Sequence, residues 1–194
     1  MKTQSKILGL YTFLVVLMFA FTACDTGPKE SKEVAEDQND EKFDTHSKEK
    51  DAQLMVDLVA AQYREIRLSK YAQMKSSNAD VKGMADMMVT DHTAMLGSLQ
   101  SLATQKSISV PNEDSTMVNN KIDNWKDDKP MEFDKEWTNE MVSMHKDDVD
   151  KMQNAVNDND CDADIKNLLN SSLPTVRTHL DKLNQMDEMM DKMK

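Results

Sequence analysis

From residue 48 to the C-terminus, apolar residues recur at steps of three and four, and no run alternates with a period of two. That periodicity is helical. Leu54, Leu58, Ala61, Glu65, Leu68 and Ala72 form one stripe and predict a helix over about 49–76. A second helix, over about 79–106, carries Ala85, Met88, His92, Met95, Leu99 and Leu102, with Asn78 as its N-cap. ISVPNED breaks the chain at Pro111; a short helix over about 113–126 follows, bearing Met117, Ile122 and Trp125, and DDKP ends it. The third long stripe is Trp137, Met141, His145, Val149, Met152 and Val156, over about 133–157. The fourth runs over about 162–192 through Ile165, Leu169, Ser172, Val176, His179, Leu183, Met186 and Met190. Pro174 lies inside it, and the missing N–H predicts a kink near residues 170–174. Two short turns and one longer crossover joining four stripes predict an all-α fold. Its expected form is an antiparallel four-helix bundle with a short extra helix in the 107–132 crossover.

The residues before 48 read differently. A basic start, the apolar run ILGLYTFLVVLMFAFTA and then Cys24 have the order of an export signal. Small residues ahead of the cysteine resemble a bacterial lipoprotein processing site, although Phe21 stands where leucine is commoner. The resemblance implies removal of residues 1–23 and a lipidated Cys24; an uncleaved N-terminal anchor is the alternative. Residues 24–47 are then expected as a flexible acidic tether, because DTGPKESKEVAEDQNDEKFDTHS has almost nothing to bury. His46 is read as a solvated residue of that tether. The domain proper is 48–194. The expected location is the cell envelope, outside the cytoplasm and tied to a membrane through the lipid, with the outer membrane favoured.

Charge narrows the partners. The chain carries -11, and loss of Lys2 and Lys6 with the leader leaves -13. With no basic stripe, an acidic surface repels phosphate, so nucleic acid is excluded as a partner. Once Cys24 is lipidated, Cys161 has no partner for an intramolecular disulfide and reads as a plain loop residue in DNDCDAD.

Each long stripe holds one ionisable residue: Glu65, His92, His145 and His179. Glu65 lies 13 residues before Asn78 and His92 lies 14 after it, so across an antiparallel turn they stand side by side. His145 lies 15 before Asp160 and His179 19 after it, a mismatch of about one turn. Counted from the crossover, His92 and His145 are also near one depth. Four such groups buried singly would each lose their water partners, at a cost of several kcal/mol in all. A shared level relieves that cost in either of two ways. The groups bond one another, or neutral imidazoles and a carboxylate hold a cation.

The residue three before each of these histidines is a valine (Val89, Val142, Val176), not the glutamate of di-iron bundles, and inward carboxylates are too few. Three imidazoles and one carboxylate suit a single Zn²⁺, Cu²⁺ or Fe²⁺ ion. Asp91 is expected beside the ligands or as a substitute for one. The 17 methionines add a copper alternative, since Met88, Met95, Met141 and Met144 lie within a turn of His92 or His145. Against it, methionine is an adaptable core filler. No phosphate loop, nucleophile elbow or His-Glu-x-x-His motif is present, and no catalytic residue is assigned.

The stretches VKGMADMMVTDHTAMLGSLQSLA, FDKEWTNEMVSMHKDDVDKM and DADIKNLLNSSLPTVRTHLDKL resemble the bacterial domain-of-unknown-function family 4142. The matching features are Asp91-His92 on the second helix, His145 on the third, and Leu173-Pro174 followed by His179 on the fourth; Glu65 matches a glutamate on the first. The likeness covers roughly residues 50–187. It implies a ferritin-like fold and an envelope location and supplies no activity. The methionine content departs from the pattern. Three readings follow: non-enzymatic binding of a transition metal at Glu65, His92, His145 and His179; a structural or protein-interaction module whose polar cluster fixes helix register; and, as a weaker third, a small redox enzyme at the same residues.

Overall fold

The connection between the first two long helices is only residues 76–78, short enough to force them antiparallel. The computed structural model describes residues 29–192, so the leader and Cys24 lie outside the described residues. Within them the chain is all-helical, with no strand: α1 (Ser31–Lys42), α2 (His46–Lys75), α3 (Ala79–Gln105), α4 (Thr116–Asn124), α5 (Pro130–Asn157) and α6 (Ala163–Lys192). The packing is pairwise. α2 lies along α3 and α5 along α6; α3 also touches α6, and α2 touches α5, α1 and α4. None of these helices is long and apolar enough to cross a membrane.

Local chemistry sets the helix ends. Asn78 caps α3, its side chain accepting from the Asp80 N–H at 2.9 Å, as expected. Asp162 does the same for α6, accepting from the Asp164 N–H at 2.9 Å and the Ile165 N–H at 3.3 Å. Pro130 does not merely end the short helix; it opens α5, where its missing N–H costs nothing. α3 closes with Ser107 at φ 57° and a bond from the Ile108 N–H to the Ala103 carbonyl, a left-handed stop usually given to glycine. α6 runs on through Pro174.

The inward faces differ from the expected stripes in detail. On α2 the buried row passes through Met55, Leu58, Val59, Gln62, Glu65, Leu68, Ser69 and Ala72, while Leu54 and Ala61 are only half-buried. On α5, Asp148 is buried and Val149 and Val156 are not fully so. Met117 of α4 is exposed, and Val118 turns inward beside Trp125.

The tether expectation is corrected over residues 31–42, which form α1. Its anchors are polar. Asn39, 4% exposed, donates to the Ser109 carbonyl and accepts from the Ser109 N–H, both at 2.8 Å. Ser31 and Asn112 are likewise joined, and Glu30 accepts from the Thr116 N–H at 3.0 Å. α1 therefore clasps the crossover through hydrogen bonds. It buries little apolar surface beyond Ala35, which is why no hydrophobic pattern announces it. His46 is exposed, as the first residue of α2.

The apolar core is divided. Met55, Leu58, Leu99, Met152, Ile165 and Leu169 belong to one cluster; Leu68, Met88, Phe133, Trp137, Met141 and Leu183 belong to another. On each long helix the change from one cluster to the other falls at the ionisable residue: Glu65, His92, His145 or His179.

Candidate metal centre

That polar layer is closed to solvent. Glu65, His92 and His145 are 0% exposed and His179 is 1% exposed. The three imidazole rings form a triangle, with centroids 5.2 Å apart for His92–His145 and His92–His179 and 5.6 Å for His145–His179. The one-turn mismatch between His145 and His179 is absorbed by side-chain direction. Side chains lean toward the N-terminus of their own helix. His145 on α5 thus leans away from the shared turn, and His179 on α6 leans toward it.

Hydrogen bonds assign the ring protons. The His92 Nδ1–H donates to Gln62 Oε1 at 2.8 Å, and the His145 Nδ1–H donates to the Met141 carbonyl at 3.0 Å. The His179 Nε2–H donates to Asp91 Oδ2 at 2.9 Å. Each imidazole is neutral with one proton committed, so one lone pair remains on each ring. Nε2 of His92 and Nε2 of His145 face each other at 3.3 Å. Nδ1 of His179 is buried and has no hydrogen-bond partner. One ligand-type nitrogen from each of the three rings lies within 4.8 Å of the others.

Glu65 occupies a different place from the one expected of a ligand. Its oxygens stand 2.9 Å from Nδ1 of His92 and 3.1 Å from Nδ1 of His145, on the ring edge away from the facing Nε2 atoms. At those distances it accepts no hydrogen bond, because the two N–H groups are aimed at Gln62 and at the Met141 carbonyl. The carboxyl backs two imidazoles and stays outside the triad of nitrogens. Asp91 backs the third, His179, from a partly exposed position. Met88, Met95, Met141 and Met144 are packed in the apolar clusters; of these, Met141 reaches the layer through its main-chain carbonyl.

Burial governs protonation here. It pulls His92 and His145 down to about 4, against the opposing pull of nearby carboxylates, and it lowers His179 as well. Burial raises Glu65. Asp148, 5% exposed, is pushed up to about 8 by burial first and by Glu65 second. At neutral pH the layer therefore holds neutral imidazoles, with the protonated Asp148 carboxyl at its border, an arrangement short of positive charge. Gln62, which holds His92, and Asp148, which borders the site, were missed in the sequence. Gln62 lies one turn before Glu65, and Asp148 follows His145 by three, so each lies near the site residue on its own helix. Cys161, by contrast, has its thiol pushed up to about 12 by burial and the neighbouring Asp51, which keeps it protonated and unreactive.

No curated protein and no solved structure matches the chain. Residues 36–186 match the family described as Domain of unknown function (DUF4142), and the chain belongs to that family.

Proposed function

We propose that this protein binds one transition-metal ion between His92, His145 and His179. The reading rests on the two Nε2 atoms that face each other at 3.3 Å with their Nδ1 protons committed elsewhere. Two lone pairs at that distance repel unless something positive lies between them. At metal–nitrogen bonds of about 2.0–2.1 Å, two donors on a tetrahedral ion stand roughly 3.3–3.4 Å apart. The orphaned Nδ1 of His179 supplies the third donor after a small ring movement. Gln62 behind His92, the Met141 carbonyl behind His145 and Asp91 behind His179 are the outer hydrogen-bond partners that fix ring orientation in metal sites. Three imidazoles form a donor set shared by Zn²⁺, Cu²⁺ and Fe²⁺. The fold that carries it reads as a ferritin-like four-helix bundle, supported by the pairwise packing of α2, α3, α5 and α6. The leader and Cys24 support export and a lipid anchor in the cell envelope, with the outer membrane favoured.

The competing reading is a register-fixing polar layer with no metal, in which one histidine changes tautomer and donates across the 3.3 Å gap. Elemental analysis after loading separates the two. Wild type is expected to hold one equivalent of metal, and the triple variant His92→Ala, His145→Ala, His179→Ala none, with its helical content kept. A wild-type chain that stays metal-free under Zn²⁺, Cu²⁺ and Fe²⁺ loading leaves the structural layer as the answer. Copper retained by the triple variant moves the site to the methionines.

A further inference from the structure

A site sealed this completely needs a way in. Beside the layer, between α2, α5, the N-terminus of α1 and the crossover, lies a cavity of about 290 Å³ that opens to solvent. Its lining includes Glu30, Asp57, Glu113, Asp114, Asp147 and Asp148 against Lys32, Arg64 and Lys151. Two of those three cations are already engaged, because Lys32 and Lys151 both pair with Asp57, at 2.7 and 3.3 Å. The remaining field in the cleft is negative.

Asp148 connects this cleft to the histidines. It lines the cavity, is only 5% exposed, and makes no hydrogen bond or ion pair with any described residue. A buried carboxyl without a partner is costly and calls for a specific reason. It stands three residues after His145 on α5, so it shares a face with that histidine. Its oxygens nevertheless fall outside the group of nitrogens that lie within 4.8 Å of one another. It is adjacent to the site without being part of it.

We infer that the cleft between α2, α5 and the crossover is the route by which a divalent cation reaches the histidine layer, with Asp148 as the carboxyl that receives it at the inner end, releasing its proton to the water of the cleft as the cation binds. The inference rests on the metal reading given above and adds the path and the residue that controls it. The acidic lining raises the local concentration of cations, and Asp148 replaces part of the lost hydration shell before the imidazoles take over. α1 forms part of the rim through Glu30, Ser31 and Lys32, which gives the clasped helix a place in the function.

Stopped-flow loading of the full chain with Co²⁺ tests this, following the ligand-field absorption of the bound ion. In Asp148→Asn, loading is expected to slow about tenfold, with the final cobalt content kept near one per chain. Ala61 is a half-buried residue of the cleft wall; Ala61→Phe narrows the passage without touching a charge and is expected to slow loading too. Higher ionic strength should slow wild type and Asp148→Asn alike, because the acidic lining that attracts the cation is common to both. Unchanged loading rates in both variants overturn the route. So does a slowing confined to Asp91→Asn, which would place access on the α3–α6 side, where Asp91 meets solvent. If wild type takes up no Co²⁺ at all, the metal reading itself fails, an outcome distinct from either of these.

Discussion

At the scale of single residues, the layer joins groups that titrate in opposite directions. In the unfolded chain, histidine takes a proton near 6.5; in the fold, His92 and His145 resist it down to about 4. Their contribution to stability is therefore complete above 6.5 and lost as pH falls through 4. Asp148 works the other way. Unfolded, it ionises above 3.8, whereas in the fold it keeps its proton until about 8. The native state thus binds the extra proton between those values, and the metal-free protein is increasingly penalised as pH rises through that window. Asp148→Asn should remove the penalty. In chelator, the variant is expected to exceed wild type at pH 8 by a few kcal/mol, on the order implied by about 1.4 kcal/mol per pK unit. The gain should shrink toward pH 4, and urea midpoints at both pH values check it. A difference that does not vary with pH would mean that Asp148 is ionised in the fold.

Among the elements, α1 and the crossover are where pattern reading and structure part. The four long helices are legible because each has a sustained three-four stripe, and the observed bounds of α3 and α6 fall within a residue of expectation. α1 has no stripe. Its order comes from the double hydrogen bond between Asn39 and the Ser109 main chain, a contact between residues 70 apart. Asn39→Ala leaves the Ser109 N–H and carbonyl without partners, a loss of roughly 1–3 kcal/mol. Reduced urea stability, with faster amide exchange in α1 and at residues 107–115, is the expected result. Unaltered exchange in α1 would show that Ala35 and the charged contacts suffice to hold it.

For the whole molecule, surface charge and helix composition bear on where the chain resides. The surface is strongly acidic, and no described helix is fit to span a bilayer. The proposed attachment to a membrane rests on Cys24 and the leader before it. If lipidation at Cys24 is the anchor, Cys24→Ser should move the protein from the membrane fraction to the soluble fraction of the envelope, with the fold intact by circular dichroism. Persistence of the variant in the membrane fraction would instead support an uncleaved N-terminal anchor.

The sequence by itself determined the helical class, the placement of the four long helices, and the convergence of Glu65, His92, His145 and His179 on one level. Periodicity and distance from a turn are properties of the chain alone. Only tertiary structure decided how those four residues divide their roles. Whether a carboxylate meets the Nδ1 or the Nε2 edge of an imidazole depends on ring orientation, which Gln62 and the Met141 carbonyl set across α2 and α5. Asp148 differs from the many solvated acids of this chain only in being enclosed by other elements. Burial is a property of the assembled helices, and it turns Asp148 from a surface charge into the inner end of a cleft.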